Sequence, residues 1–489
     1  MVWMFIMILA GLIITAGIVI LARTYTYPFY SHSAVTGEFP PVNPSSLPIS
    51  RLSGCLKIAT ISSANYTETD FEPFIRFKTY LEESYPEIYR TMETHSINDY
   101  GLVFRWKGKN PQLKPILFLS HYDVVPPGDD PEGPGGWEYP PFSGAIADGK
   151  IYGRGALDMK GMLFGILEAA DQLISEGFTP ERDIWFAFGH DEEVGGVNGA
   201  AKIVEDFGKK KLTFDAVYDE GGIIAAKGFI SQLSNDVALV GVAEKGYVTF
   251  TISVKGSGGH SSMPPLQTAL GQAAVIMQRL EENQMEARLI PPVKSLLANI
   301  GGAMDFSTRM AIANQWLFKS LLIKSLSRAP STNALIRTTT ALTMAKGSDA
   351  SNVLPTSAEI TVNFRTLPGD MIEDVKKHVE KACKGFDVDI HMSGETEASK
   401  ISGFDTEGFD VMKQALAKIY PDALVTPYLS VTGSDAPKYE SVCPNIYRLI
   451  PVRLTSQEQE TIHNLNESIS IENYRKMIAY FREVMMNYN

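Results

Sequence analysis

The sequence predicts an α/β protein in which a mostly parallel sheet is interrupted by an inserted α+β domain. From about residue 48 to Lys245, short apolar strands alternate with helical segments, a pattern typical of parallel sheets wrapped by helices. After Lys245 the strands have alternating faces, and from 396 to 489 the first pattern resumes. With 489 residues, the chain is also too long for one compact domain.

The N-terminus (residues 1–23) is predicted to be an uncleaved signal anchor. Met1 to Ala22 contains no charged side chain, and this run is long enough to span a bilayer as a helix. No basic residue precedes the apolar run, which argues against the alternative of a cleaved secretory signal. Residues 24–47 are predicted to form a stalk. We expect a membrane-anchored protein whose larger domain is extracytoplasmic, or a secreted one if the segment is cleaved.

The first part of the larger domain (48–245) contains strands that each lead into a polar segment. Strands are expected at Pro115–Ser120, Asp183–Phe188 and Asp215–Tyr218, and a helix at Met159–Glu176 that ends before Gly177. Ligand sites in such sheets lie beyond the carboxyl ends of the strands. The second part of this domain is expected at 396–489.

The inserted domain (246–395) has the order β-α-β-β-α-β, which predicts a ferredoxin-like fold. Its expected elements are strands at Tyr247–Val254, Thr338–Ala345, Glu359–Arg365 and Phe386–His391, with helices at Thr268–Glu282 and Ile372–Cys383. Within it, residues 291–333 form an apolar insert. This insert is either a helical pair with its own small core or an apolar roof over an acyl tail, formed by Trp316 and Phe318.

Charge and cysteine content exclude some classes of protein. The net charge of −12 argues against a nucleic-acid partner, and the acidity is attributed to solubility. The three cysteines are too few for a disulfide framework and are expected to be buried thiols.

The polar segments supply the side chains of a two-metal hydrolytic site. Zinc is bound by His and carboxylate ligands, and hydrolysis also needs a carboxylate that stays off the metal. His121 is a candidate ligand, and Asp123, on the same side of an extended segment, is a candidate orienter of its imidazole. Asp158 could bridge two metals, although a helix N-cap is the other interpretation.

Asp191-Glu192-Glu193 is the more specific signal, because consecutive side chains at a turn point in different directions. Glu193 is assigned to metal, and Glu192 to the general base that would pass a proton to the leaving amine. Either Asp219 or Glu220 is expected to bind the first metal. His463, in the C-terminal segment, would complete the ligand set of the second metal.

These motifs carry a resemblance to a known family. Ser-His-Tyr-Asp-Val-Val-Pro at 120–126, Gly-Arg-Gly-Ala-Leu-Asp-Met-Lys-Gly at 153–161, Asp-Glu-Glu-Val-Gly-Gly at 191–196 and Asp-Glu-Gly at 219–221 stand in matching order. From about residue 50 onward, the chain resembles the co-catalytic di-zinc aminoacylase and carboxypeptidase family. The resemblance implies two Zn²⁺ per subunit, with Co²⁺ or Mn²⁺ as alternatives, and slightly favours Glu220 over Asp219.

The same resemblance implies a homodimer in which His260 reaches the partner's active site and stabilises an oxyanion. It also implies that Asn352 and Arg365 bind substrate. Arg365 could hold a carboxylate in bidentate fashion. Gly433 and Ser434 would line the same pocket, although the usual Gly-Gly-Thr-Asp is altered here.

The segment Thr332–Thr343 resembles the carboxypeptidase S and N-fatty-acyl-amino-acid synthase/hydrolase branch of the family. We therefore expect a zinc-dependent amidohydrolase that cleaves, and in reverse forms, the amide of N-acyl and especially N-fatty-acyl amino acids. A carboxypeptidase or dipeptidase is the alternative. A non-catalytic, membrane-tethered binding protein is a third and less favoured interpretation, because a binder does not need an unliganded base.

Overall fold

The computed structural model describes residues 2–28, 47–128, 131, 136–231 and 233–488. Its helices are α1 (Val2–Tyr25), α2 (Leu47–Leu56), α3 (Glu72–Ser84), α4 (Pro86–Thr91), α5 (Lys160–Ser175), α6 (Ala200–Lys209), α7 (Ala269–Glu282), α8 (Pro291–Gly301), α9 (Phe306–Ala313), α10 (Gln315–Leu326), α11 (Pro330–Ile336), α12 (Ile372–Cys383), α13 (Glu407–Ile419), α14 (Ser456–Gln459) and α15 (Ile471–Asn487).

Its strands are β1 (Glu93–Ile97), β2 (Gly101–Trp106), β3 (Ile116–His121), β4 (Ile146–Ala147), β5 (Lys150–Tyr152), β6 (Ile184–Gly189), β7 (Ala216–Asp219), β8 (Ile224–Ala225), β9 (Asp236–Glu244), β10 (Tyr247–Lys255), β11 (Gly259–His260), β12 (Thr339–Lys346), β13 (Val353–Leu354), β14 (Ser357–Arg365), β15 (Val388–Thr396), β16 (Ala423–Ser430), β17 (Ile446–Arg448), β18 (Arg453–Leu454) and β19 (Ser468–Ser470).

The α/β class predicted from the sequence is confirmed, and the large sheet is mixed. In the described chain it has ten strands, in the order β1-β2-β6-β3-β7-β17-β9-β8-β18, with β16 also paired to β9. The strands β6, β3, β7 and β17 at its centre run parallel. Antiparallel pairs such as β1–β2 flank them. A short turn suffices to join β1 to β2, whereas each parallel pair needs a long crossover.

Both faces of the central strands are buried, which explains why β3 has an uninterrupted apolar sequence before its polar end. Phe118 on one face stacks against Phe186 and Tyr218, with ring centroids 5.8 and 5.2 Å away, and meets Phe481 of α15 edge-on. Leu117 on the other face packs in the cluster formed with α6. Because the central strands are packed on both faces, the positions of their carboxyl ends in the sheet are fixed.

The inserted segment forms a separate four-stranded antiparallel sheet in the order β12-β14-β10-β15. This is the ferredoxin-like order, and α7 and α12 cover one face over a core that contains Phe250 and Val362. The last strand is longer than the predicted Phe386–His391. It continues to Thr396 because that residue still pairs with Tyr247 of β10. The range 246–395 stays our prediction for the domain boundaries.

The apolar insert 291–333 contains more helix than the predicted pair, because α8, α9, α10 and the start of α11 lie within it. Its inner side chains join a cluster with Leu429 of β16, so part of the insert's core is supplied by the large sheet. Trp316 is 60% exposed, and its contact with an acyl tail stays a hypothesis.

One helix in the described residues, α1, is long and apolar enough to cross a membrane. The predicted stalk at 24–47 falls mostly on residues 29–46, which lie outside the described part of the chain. Its first residues do not behave as a stalk, because Thr24 belongs to α1 and is fully buried.

Truncating Phe250 to Ala should destabilise the inserted domain by about 3–5 kcal/mol, since a buried ring is lost from a core separate from that of the large sheet. Hydrogen exchange should accelerate in β10 and β14 and stay unchanged in β3. The exposed Met371→Ala change serves as the control. Equal acceleration in β3 would show that the two cores unfold as one unit.

Candidate metal centre

The carboxyl ends of the central strands bring the predicted ligand segments together. His121 ends β3, Glu193 follows β6, and Glu220 follows β7. Asp158 lies in the turn that precedes α5, and His463 in the turn between α14 and β19. Parallel strands place their carboxyl ends at one edge of a sheet, so residues far apart in sequence meet there.

Two groups of potential ligand atoms share Asp158. One is His121, Asp158 and Glu220, the other is Asp158, Glu193 and His463, and within each group the atoms lie within 4.8 Å of one another. Asp158 Oδ1 is 3.0 Å from His121 Nε2, and its Oδ2 is 3.0 Å from His463 Nε2. The two oxygens of one carboxylate therefore face two separate groups, as a bridging ligand must.

The charge of this cluster fits a pair of cations. Three carboxylates and two imidazoles make up the two groups that share Asp158, and Glu193 Oε1 is buried with no hydrogen-bond partner. Burial, opposed by His121 and reinforced by the charge of Asp158, raises the pKa of Glu220 to about 8. Hydrogen bonds to Asp158 and Glu193 raise the pKa of His463 to about 10. A bound cation would satisfy the carboxylates without requiring protons on either imidazole.

Asp219 and Glu220 occupy different surroundings. Glu220 Oε1 lies 3.3 Å from His121 Nε2, whereas Asp219 belongs to neither ligand group. Burial, followed by the charge of Asp435, raises the pKa of Asp219 to about 7. Adjacent residues at the end of a strand point to opposite sides, so only one of the two can face the metals.

Asp123 contacts both His121 and the turn that carries Glu192 and Glu193. Its backbone oxygen and its Oδ1 lie 3.1 and 3.2 Å from His121 Nδ1. The same carboxylate accepts hydrogen bonds from the backbone N–H groups of Glu192 and Glu193, both at 3.1 Å. These contacts orient the imidazole, as the sequence predicts, and they also fix the turn that carries both glutamates, which the sequence did not predict.

Glu192 lies beside the ligand groups without belonging to either. Its Oε2 is 3.9 Å from His121 Nε2, and its side chain is 16% exposed. Burial raises the pKa of Glu192 well above its ordinary value, and the charges of Glu220 and Asp435 add to this effect. A carboxyl group with a raised pKa, within reach of the cluster, suits proton transfer near neutral pH.

Sequence reasoning missed Glu467, which orders the loop of Asp158. This fully buried carboxylate accepts hydrogen bonds from the backbone N–H groups of Gly155, Leu157 and Asp158 at 2.8–3.1 Å. It also pairs with Arg154 at 2.8 Å. Its local sequence gives no signal of this role. Arg154 in the glycine-rich motif was the only signal in the sequence, because a buried guanidinium needs a carboxylate as its counter-charge.

The predicted substrate residues of the inserted domain lie outside both ligand groups. His260 is exposed on β11, where its Nδ1 accepts a hydrogen bond from the Ser262 backbone at 3.1 Å. Asn352 is exposed, and its backbone carbonyl oxygen accepts a hydrogen bond from the Ser261 backbone N–H at 3.1 Å. The Arg365 guanidinium lies 4.7 Å from the ring centroid of Tyr247.

The altered glycine turn is anchored to the large sheet. Ser434 donates backbone and hydroxyl hydrogen bonds to Glu244, at 3.0 and 2.9 Å. Glu244 in turn pairs with buried Arg448 at 3.0 Å. Gly433 precedes this anchor, and a Cβ there would stand 3.8 Å from Glu244 Oε1. The turn is therefore anchored to the end of β9 in the large sheet.

The model of peptidase family M20/M25/M40 matches residues 117–487. The chain belongs to this family. The match begins in β3 and ends in α15, so every residue of the two M20 ligand groups lies inside it.

Two curated relatives of this M20 chain carry different functional names. It is 35% identical over 441 residues to probable carboxypeptidase S-like 2 of Dictyostelium discoideum, which covers 89% of this chain and 84% of that protein. It is 33% identical over 488 residues to N-fatty-acyl-amino acid synthase/hydrolase PM20D1 of Xenopus tropicalis, with 98% and 94% covered.

A solved structure shares the fold. It is the M20 family metallo-carboxypeptidase Sso-CP2 from Sulfolobus solfataricus, with a TM-score of 0.66 and 21% identity over 90% of this chain and 99% of that one. The family match makes the protein an M20 hydrolase, and the grouped ligands form its candidate metal site.

Replacing Glu220 with Gln should weaken one of the two metal sites by more than about 10-fold, because a ligand is lost rather than a supporting contact. Asp219→Asn is the matched control and should retain both metals, since Asp219 lies outside the ligand groups. Metal content after dialysis, measured by mass spectrometry, decides between them. Loss of metal in Asp219→Asn alone would reverse the assignment.

Glu467→Gln should cost about 3–5 kcal/mol of stability, because it leaves the Arg154 guanidinium buried without its counter-charge. It should also weaken metal binding by about 10–100-fold, because the Asp158 loop loses its acceptor. Urea unfolding and metal titration measure the two effects, with exposed Glu460→Gln as control. Unchanged metal affinity would restrict Glu467 to a stabilising role.

Proposed function

We propose that this M20 enzyme is a di-zinc amidohydrolase that cleaves the amide bond of N-fatty-acyl amino acids and, in the reverse direction, forms it. The observation that carries the proposal is the relative named N-fatty-acyl-amino acid synthase/hydrolase, which matches 98% of this chain. The two ligand groups that share Asp158 supply the matching chemistry.

The proposed zinc ligands are His121, Glu220 and bridging Asp158 on one side, and Glu193 and His463 with the same Asp158 on the other. Imidazole and carboxylate donors suit Zn²⁺, and they also suit Co²⁺ and Mn²⁺. When bound, the two ions would polarise an amide carbonyl and make an attacking water more acidic.

The residues of the chain would perform the remaining steps. Glu192 lies off the metal groups, and it would take a proton from the attacking water and deliver it to the leaving amine. Asp123 would keep His121 in the tautomer that leaves Nε2 free for metal. Arg365 would pair with the C-terminal carboxylate that every N-acyl amino acid carries.

A homodimer is part of the proposal. His260 and Asn352 are exposed and linked through the β11–β13 pairing, so both are presented on one short ribbon. A partner subunit could place this ribbon over the metal centre, where His260 would stabilise the oxyanion and Asn352 and Ser434 would contact substrate. The N-terminal helix would hold each subunit at a membrane, with the catalytic domain extracytoplasmic.

Carboxypeptidase or dipeptidase activity is the second candidate. It is favoured by the carboxypeptidase S-like relative at 35% identity. A peptide and an N-acyl amino acid share the scissile amide and the terminal carboxylate, so the same residues would serve both reactions. The acyl group alone distinguishes them.

The test is hydrolysis of N-oleoyl, N-acetyl and dipeptide substrates that share one C-terminal residue, by the zinc-loaded full chain. We expect the oleoyl compound to give the highest kcat/KM, and Glu192→Gln to lower kcat by about 10²–10⁴-fold with metal retained. The KM of Arg365→Lys should be compared with that of Arg365→Ala. The difference separates the contribution of bidentate binding from that of charge.

Preferential cleavage of dipeptides would assign the chain to the carboxypeptidase candidate. Absence of cleavage with two metals bound would contradict both candidates. Full activity in Glu192→Gln would remove that residue from the mechanism.

A further inference from the structure

The C-terminal end of α1 is packed against the apolar insert, whereas the rest of this helix is exposed. Thr24 is fully buried, and its hydroxyl accepts a hydrogen bond from Asn314 Nδ2 at 3.3 Å. Arg23 Nε donates to the carbonyl oxygen of Ala313 at 3.1 Å. These contacts tie the last turns of α1 to the junction between α9 and α10.

Two aromatic residues extend this attachment. Tyr25 packs against Phe306 of α9, with ring centroids 5.5 Å apart, and the Tyr27 hydroxyl donates to the carbonyl oxygen of Ala298 in α8 at 3.4 Å. In α8, Asn299 Nδ2 donates to Thr426 Oγ1 of β16 at 3.3 Å. A continuous chain of contacts therefore runs from α1 through the insert to the large sheet.

The length of α1 sets the depth of these contacts in a bilayer. Its 24 residues extend for about 36 Å at the rise of an α-helix, and the hydrocarbon core is about 30 Å thick. An 18-residue window of α1 is 0% buried by protein and has a mean hydropathy of 2.8. If that window spans the core, Thr24 and the α9–α10 junction lie at the membrane surface.

At that depth the insert exposes large apolar side chains. Phe306, Trp316, Leu317 and Leu321 are 44%, 60%, 51% and 58% exposed. Leu317 and Leu321 are four residues apart on α10 and share a face, whereas Leu322 is buried. Tryptophan and neighbouring aliphatic side chains are characteristic of helices at the membrane interface.

The charge of the insert is opposite to that of the whole protein. Residues 291–333 contain five basic side chains (Lys294, Arg309, Lys319, Lys324 and Arg328) and one acidic side chain (Asp305), whereas the chain carries −12. Lys324 is exposed on the same face of α10 as Leu317 and Leu321, because it lies three residues after Leu321. An apolar face with a lysine beside it suits a bilayer that contains anionic lipids.

We propose that α9 and α10 form an interfacial membrane-binding surface, which lies in the headgroup layer beside the end of α1. This surface, defined by Phe306, Trp316, Leu317 and Leu321 with Lys324, holds the catalytic body against the bilayer. The proposal rests on the proposed membrane anchor. Its consequence is that the metal centre keeps a fixed height above the lipid, from which an acyl substrate would come.

The test uses a label at position 317 of the full chain in lipid nanodiscs. The native cysteines are all buried, so Leu317→Cys can be labelled selectively with an environment-sensitive fluorophore. Leu12→Cys marks the span, and Lys209→Cys marks the aqueous surface. Quenching by acrylamide at position 317 should be at least about threefold weaker than at 209, as for a side chain in the interface. Adding phosphatidylserine to phosphatidylcholine should strengthen this shielding, and Lys324→Glu should abolish the increase.

The possible outcomes distinguish the interfacial surface from the anchor alone, from an acyl-binding surface and from a contact with a second copy. Shielding at 12 with full quenching at 317 overturns the interfacial surface and leaves the anchor intact. Quenching at both positions overturns the anchor and this proposal with it. Shielding at 317 that appears only with an added N-oleoyl amino acid, or only when the chain dimerises, would assign the surface to an acyl tail or a second copy. None of these readings depends on catalytic activity.

Discussion

The concentration of negative charge around Asp158 is the constraint on which the site depends. Three carboxylates and two imidazoles meet at one edge of the sheet, and further acids (Glu192, Asp219 and Glu467) lie close behind them. Such a cluster is costly unless cations or fixed donors compensate it. Backbone N–H groups serve Asp123 and Glu467, and they leave the central oxygens for metal.

The same constraint explains why the scaffold is rigid where the ligands attach. The central strands are buried on both faces, so their carboxyl ends cannot shift without disturbing two layers of packing. The inserted domain has one covered face and exposed β11 and β13. A rigid platform that carries the ligand groups is thus combined with a separately packed domain that offers polar residues at its surface.

Much of this architecture could be predicted from the sequence, because its signals are local. The strand before His121, the helix after Asp158 and the β-α-β-β-α-β order depend on periodicity, and the observed bounds differ by few residues. The choice between Asp219 and Glu220 could not be made, since it depends on which side of β7 faces His121. Glu467 was missed because its partners are 309–313 residues away, and no local pattern encodes a contact at that distance.

The stalk was expected from composition, and Thr24 shows the limit of that reasoning. Polar and aromatic residues after an apolar run are typical of a linker, but here the first of them are held by the insert. Only the three-dimensional position of α9 reveals the contact.

The separation between Glu467 and the Asp158 loop also has a consequence for synthesis. Asp158 and its neighbours leave the ribosome long before His463 and Glu467, with the entire inserted domain made in between. The nascent chain therefore holds an unsupported acidic loop until His463 and Glu467 emerge, and closing so long a loop is slow. The two ligand groups are complete only after these residues have been made, so a chain that stops before His463 cannot assemble them.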